Sequence, residues 1–267
     1  MVNSPYFSFT REPFSRELSP TEVFVSKGHH ELLARLRHAI ETGSLAVITG
    51  QVGSGKSTAI RSVIHSLEAS RYRYIYLASS ELTSAEFYRS LLYQVNVQPG
   101  RGISGNKRLV VQTMLELHQK GIKSIVVIDE GQELTVPMLS ELRFVLNYQT
   151  DSFSPLMVIL AGQPQLAETL RLQVLECIRQ RVNVHYRLPC LGEDEISAYI
   201  LHHLKVAGLD KQIFTDEAIK LIYQFSKGIP RRINNICRYA IIAAVVADSP
   251  TIDADAVQKG LEDDDLI

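Results

Sequence analysis

The sequence predicts an α/β protein: a mainly parallel, five-stranded sheet sandwiched by helices, followed by a small all-helical module. Three observations predict it. Short apolar runs alternate with stretches of helical periodicity between residues 27 and 190, the pattern of strands joined by crossover helices. The first apolar run leads through a glycine-rich turn into a helix. Beyond Pro189 the strand-like runs stop, and only helical spacing remains.

Taken in order, the first 26 residues alternate aromatics with Pro and Ser (Tyr6, Phe7, Phe9, Pro13, Phe14, Pro20, Phe24), an irregular arm whose rings need a surface to pack on. Residues 27–41 carry helical spacing through Leu32, Leu33, Leu36 and Ile40. Residues 45–49, bounded by Gly43 and Gly50, read as a buried strand, and 56–67 as a helix. Residues 72–77 are strand-like, whereas 84–94 and 108–119 are helical, separated by a Gly/Pro-rich loop at 98–107. Two further apolar strands, 124–128 and 157–161, flank a helix at 138–147, and a fifth strand covers 182–188. Helical spacing then occupies 193–206, 216–226, 230–247 and 253–261. The expected division is an arm at 1–26, an α/β domain at 27–190 and a helical domain with an acidic tail at 191–267.

Composition narrows the class. Hydrophobic residues make up 45% and charged residues 21%, which excludes wholesale disorder. With 28 Lys+Arg against 29 Asp+Glu the net charge is −1, so any nucleic-acid surface must be a local patch. The longest apolar run, residues 239–247, is nine residues, half of what a membrane span needs, about 18. It reads as a buried helix. The amino terminus lacks the basic and apolar regions of a secretory signal, and the three cysteines match no metal or disulfide framework. A cytoplasmic protein with no membrane partner is expected.

The chemistry-bearing motif is Gly50-Gln51-Val52-Gly53-Ser54-Gly55-Lys56-Ser57, which fits G-x-x-x-x-G-K-[ST] at every specified position. An apolar strand feeds it and a helix leaves it. Glycines let the backbone wrap so that successive N–H groups point at phosphate oxygens, and the helix start adds partial positive charge. Lys56 would reach the β and γ phosphates, Ser57 would offer its hydroxyl to Mg²⁺, and Thr58 would lie near the α phosphate. The matching element is the strand ending in Asp129-Glu130. Its carboxyl end is where ligands of open α/β sheets bind. Asp129 would hold Mg²⁺ through a water, and Glu130 would act as general base on the attacking water. The second acid argues for hydrolysis over binding alone.

With these motifs the chain resembles the AAA+ ATPases, and within them the branch containing ExeA, TniB, TnsC and MuB. The resemblance spans nearly the whole chain, through residues 6–14, 128–134, 160–166, 178–181 and 228–234. It implies ATP and Mg²⁺ as ligands. It implies that Gln163 is a polar sensor orienting the lytic water, a role its amide suits by both donating and accepting. It implies that Arg179 or Arg181, with Arg181 favoured, is a finger reaching a neighbouring subunit's γ phosphate, since a permanent charge and a planar fork match phosphate oxygens. Arg231, after Gly-Ile-Pro, resembles the second sensor of the helical lid. Adenine contacts would come from around Phe24, for which core packing is an equal alternative.

A trans arginine implies a homo-oligomer, either a ring or a helical filament. The free-standing form resembles transposon-encoded regulators, to which length and the acidic ending (Glu262, Asp263, Asp264, Asp265) point. That implies binding of double-stranded DNA with ATP, recruitment of a DDE-type transposase at the target site, and a target-selection protein as a further partner. Candidate DNA contacts are Arg89, Arg101, Lys107 and Arg108, set against a solvated loop. The other readings are an ExeA-like ATPase of a secretion or envelope-assembly system and a nucleotide-gated protein scaffold. The histidine pairs at 29–30 and 202–203 lack metal-spaced partners and read as surface or core residues.

Overall fold

All five apolar runs are strands in the computed structural model: β1 (Leu45–Thr49), β2 (Tyr72–Ala78), β3 (Lys123–Asp129), β4 (Leu156–Gly162) and β5 (Val182–Arg187). The helices are α1 (Lys27–Thr42), α2 (Lys56–His65), α3 (Ser84–Gln94), α4 (Ile103–Gln119), α5 (Val136–Leu146), α6 (Pro164–Leu170), α7 (Glu176–Arg179), α8 (Glu193–Val206), α9 (Asp216–Ser226), α10 (Pro230–Val246) and α11 (Ala254–Glu262). The structure describes residues 6–43, 45–78, 82–147, 154 and 156–262. The acidic residues 263–265 of the expected tail lie outside the described residues. Contacts divide the chain into two compact units. One comprises residues 31–50 and 59–188, the other residues 1–30, 51–58 and 189–267.

In the first unit the strands are all parallel, in the order β2-β3-β4-β1-β5. The sheet is apolar on both faces, as a parallel sheet covered by crossover helices must be. Leu45 and Val47 of β1, Val126 and Ile128 of β3 and Val158 and Leu160 of β4 enter one core with Phe87, Leu91, Met114 and Leu142. The alternate residues, among them Ala46, Ile48, Ile125, Val127 and Ile159, enter the other core with Leu36, Ile40, Ile60 and Val63. Side-chain alternation with period two assigns each residue its face.

The helix expected to begin at residue 108 begins at Ile103. The buried Asn106 explains the difference, because its side chain accepts from the Gly100 N–H at 2.7 Å and donates to the Gly100 carbonyl at 3.1 Å. That clamp folds the glycine-rich segment into a corner at Gly102, and the penalty of Gly105 inside a helix, about 1 kcal/mol, does not stop it.

In the second unit the aromatic arm finds its surface. Phe7, Phe9 and Phe14 share a core with Ile196, Ile200, Leu204, Ile222, Ile236 and Ile241. The arm also caps α8, whose last carbonyls have no intrahelical partner. Both the backbone N–H and the hydroxyl of Thr10 donate to the Ala207 carbonyl, at 2.9 and 3.1 Å. Arg11 donates to the Val206 carbonyl and pairs with Glu22 at 2.6 Å. Among the described residues, no helix is long and apolar enough to cross a membrane.

Candidate active site

Strand register sets the stage. Thr49 of β1 pairs with Gly162 of β4, and Ile128 of β3 pairs with Leu160 of β4. The carboxyl ends of three adjacent strands therefore finish almost level. From them issue the glycine-rich loop, the acids Asp129-Glu130, and Gln163. The loop leaves β1 at Gly50, whose N–H donates to the Gly162 carbonyl at 3.2 Å.

The loop itself groups with the helical unit. Gly53 and Gly55 take φ of +77° and +98°, conformations that cost other L-residues about 1 kcal/mol or more. Helix α2 begins at Lys56, so the N–H groups of its first turn lie at the loop's end. The Lys56 side chain is buried, and its ammonium donates to the Gln51 carbonyl at 3.1 Å. Two observations fit this loop to a phosphate. The buried Ser54 hydroxyl makes no hydrogen bond with a described residue, and a Cβ added at Gly55 would meet nothing within 4 Å. Arg231, exposed in the first turn of α10, lies across Gly53, where an added Cβ would fall 2.6 Å from the Arg231 Cβ.

In the sheet unit Asp129 ends β3 and is buried. One of its carboxylate oxygens accepts the Glu130 N–H at 2.9 Å, and the other accepts the Tyr76 hydroxyl at 3.3 Å. Tyr76 belongs to the edge strand β2, and sequence reasoning missed it, treating it only as part of a strand. Burial foremost, with the neighbouring Asp129 charge, raises its phenol pKa. Glu130 has left-handed backbone angles, φ 52° and ψ 38°, which turn its exposed carboxylate off the strand path. That carboxylate accepts from the Gln132 amide at 2.8 Å, while the Gln132 carbonyl oxygen accepts the backbone N–H of Gln163 at 2.9 Å. Gln132 is the second residue that sequence reasoning missed. The Gln163 side chain makes no hydrogen bond to a described residue and caps no N–H of α6.

Of the two candidate fingers, Arg179 is exposed at the end of α7, with long contacts to the Arg171 carbonyl at 3.4 Å and to Glu176 at 3.7 Å. Arg181 is half-buried and donates to the Cys177 carbonyl. The Phe24 ring packs edge-on against Tyr199 at 5.4 Å and His202 at 5.6 Å, the packing alternative for that residue. Buried His203 stacks on Phe14.

The four expected DNA contacts differ in their surroundings. Lys107 is taken up inside the sheet unit: its ammonium pairs with Glu141 at 2.8 Å and sits 3.0 Å from the Phe144 ring centroid. Glu141 also accepts the Tyr88 hydroxyl at 2.7 Å. Its pairing with Glu141 makes the Lys107 ammonium less available to a phosphate than the other three candidates. Arg89, Arg101 and Arg108 remain exposed, Arg89 with Glu86 at 3.8 Å.

Comparison with known proteins bears on the fold and the family. A family model described as "AAA domain" matches residues 37–170. The chain is 32% identical over 250 residues to the general secretion pathway protein A of Aeromonas hydrophila, a match covering 92% of this chain and 46% of that protein. The chain thus spans under half of that relative's length. Among solved structures, Cdc6p of Pyrobaculum aerophilum superposes with a TM-score of 0.70 at 15% identity, covering 94% of this chain and 70% of that one. The Drosophila ORC bound to DNA gives a TM-score of 0.70 at 18% identity, covering 93% and 63%. At these identities the superpositions speak for the fold. The family match speaks for more: the chain belongs to the AAA domain family, the AAA+ ATPases.

Proposed function

We propose that this chain is an ATP-hydrolysing switch that oligomerises on double-stranded DNA and regulates DNA transposition by recruiting a DDE-type transposase. The observation that carries the hydrolytic part is the Glu130 carboxylate, turned off its strand by a left-handed backbone and held by Gln132. A binding-only loop has no need of a second acid set in this way.

In this reading the loop N–H groups and Lys56 bind the triphosphate. Asp129 and the Ser57 hydroxyl are the groups assigned to Mg²⁺, which when bound neutralises charge on the β and γ phosphates. Glu130 accepts the proton of the attacking water, and Gln163 orients that water. Arg231 reports nucleotide to the helical unit. Arg181, with Arg179 as the alternative, would supply the permanent charge that a neighbouring subunit's nucleotide requires, which makes the active form an oligomer.

The DNA-binding part is supported by the likeness in fold to the DNA-bound Drosophila ORC. It rests on Arg101, Arg108 and Arg89 as phosphate contacts. A second reading, an ATPase serving a secretion or envelope-assembly system, is favoured by the 32% identity to general secretion pathway protein A. Electron microscopy of the chain with duplex DNA, with and without a non-hydrolysable ATP analogue, separates the two. ATP-dependent rings or filaments on DNA are expected. Indifference to DNA in both states would transfer the proposal to the secretion reading.

A further inference from the structure

We propose that Gln132 is a positioning residue for hydrolysis, a two-sided clamp that ties the Glu130 carboxylate to the backbone at Gln163. The inference rests on the hydrolytic reading above and deepens it. Its amide joins them: Nε2 donates to Glu130 Oε2 at 2.8 Å, and Oε1 accepts the Gln163 N–H at 2.9 Å. A longer contact, 3.4 Å, runs from the same Nε2 to Glu133. The two groups so joined are the base and the backbone that carries the water-orienting amide.

The surroundings show that this clamp is built into the fold. The turn after β3 lies close against the end of β4, leaving little room for a side chain at Gly131 or Gly162. A Cβ at Gly162 would lie 2.9 Å from Gln132 Oε1 and 2.9 Å from Leu166, and one at Gly131 would lie 3.2 Å from the Ala161 carbonyl oxygen. Glu130 is meanwhile held at φ 52°, a conformation costing a residue with a Cβ about 1–2 kcal/mol. That strain persists only where neighbours over-determine it, and the turn is further closed by the Glu133 N–H donating to the Glu130 carbonyl at 2.9 Å.

Chemistry makes the residue type specific. The clamp needs one donor and one acceptor on a single planar group, and a primary amide has both. A leucine at 132 supplies neither. A glutamate supplies the acceptor for the Gln163 N–H, but puts a second carboxylate beside Glu130. Two carboxylates so placed repel, so a glutamate at 132 cannot hold Glu130.

The test uses the full chain with Mg-ATP. Gln132→Leu is expected to lower kcat at least about tenfold, with equilibrium binding of a fluorescent ATP analogue within about twofold of the parent. Gln132→Glu, which keeps the acceptor for the Gln163 N–H but loses the donor to Glu130, is expected to lower kcat by a similar factor with ATP binding again within about twofold of the parent, a split between turnover and binding that a purely structural role would not produce. If the parent turns ATP over and both variants match its rate, the inference falls alone. If Gln132→Leu loses ATP binding as much as turnover, the clamp is structural and the inference also falls. A parent chain that binds ATP without turning it over would overturn the hydrolytic reading and this inference with it.

Discussion

The backbone N–H of Arg231 donates to the carbonyl oxygen of Gly53 at 3.3 Å. The first turn of α10 is thereby joined to the middle of the phosphate loop, inside one compact unit. An anion settling on the loop would act on backbone that this hydrogen bond ties to the start of α10.

Substituting Gly53→Ala tests that coupling. The new methyl would have to adopt φ +77° and would sit 2.6 Å from the Arg231 Cβ. Neither atom is the far end of a flexible chain, so α10 or the loop must shift. A loss of ATP affinity of about tenfold, roughly 1.4 kcal/mol, is expected in equilibrium titration. Unchanged affinity would mean that the loop binds nucleotide independently of α10.

Lys107 and its neighbours separate stability from DNA binding. Lys107→Ala removes one partner of a half-buried ion pair and leaves Tyr88 as the partner of Glu141 among the described residues. The expected cost is about 1–3 kcal/mol of stability in urea titration, with no loss of DNA affinity. Arg101→Ala or Arg108→Ala should instead leave stability within about 0.5 kcal/mol and reduce the salt slope of DNA binding by about one. A Lys107 variant that weakened DNA binding while folding normally would restore it to the DNA surface.

His203 predicts an acid sensitivity. It is buried against Phe14 and Tyr199, and burial, with a smaller contribution from His202, lowers its pKa from 6.5 to about 3. Between those values the unfolded chain binds a proton that the folded chain refuses, so stability falls as pH falls. From pH 6.5 to 4.5 the loss is about 2 kcal/mol. The carboxyl of Glu22, held down to about 2 by Arg11, adds a loss of the same sign only below its ordinary 4.5. His29, also lowered by burial, contributes in the same direction, so the diagnostic is the difference from His203→Phe. That variant should flatten the stability–pH curve between 6.5 and 4.5. Parallel curves would contradict the assignment.

Much of this fold was legible in the amino-acid order. Apolar runs such as residues 124–128 and 157–161 became strands because parallel strands buried on both faces are continuous in hydrophobicity. The phosphate loop was legible because its glycines are constrained by backbone geometry, which a linear pattern records. Strand order was not legible: that β4 lies between β3 and β1 depends on crossover packing. The start of α4 was hidden because Asn106 acts through a tertiary clamp on Gly100, whereas Gly105 argues locally for a loop. Tyr76 and Gln132 escaped notice for a related reason. A tyrosine on an edge strand and a glutamine in a turn carry no periodic signal, and their roles appear only when strand ends are brought level. Gln132 did lie two residues beyond Glu130, within a segment already singled out, and an amide so near the expected general base was a hint. The aromatic arm announced that it needed a surface without saying that helices α8 to α11 provide it.

The central claim is that Glu130 serves as the base for ATP hydrolysis on a loop that binds ATP without it. Single-turnover hydrolysis by Glu130→Gln, measured beside equilibrium ATP binding on the same sample, tests this most directly. The expected result is ATP affinity within about twofold of the parent with hydrolysis slowed by about a hundredfold or more. Hydrolysis at the parental rate with ATP fully bound would contradict it.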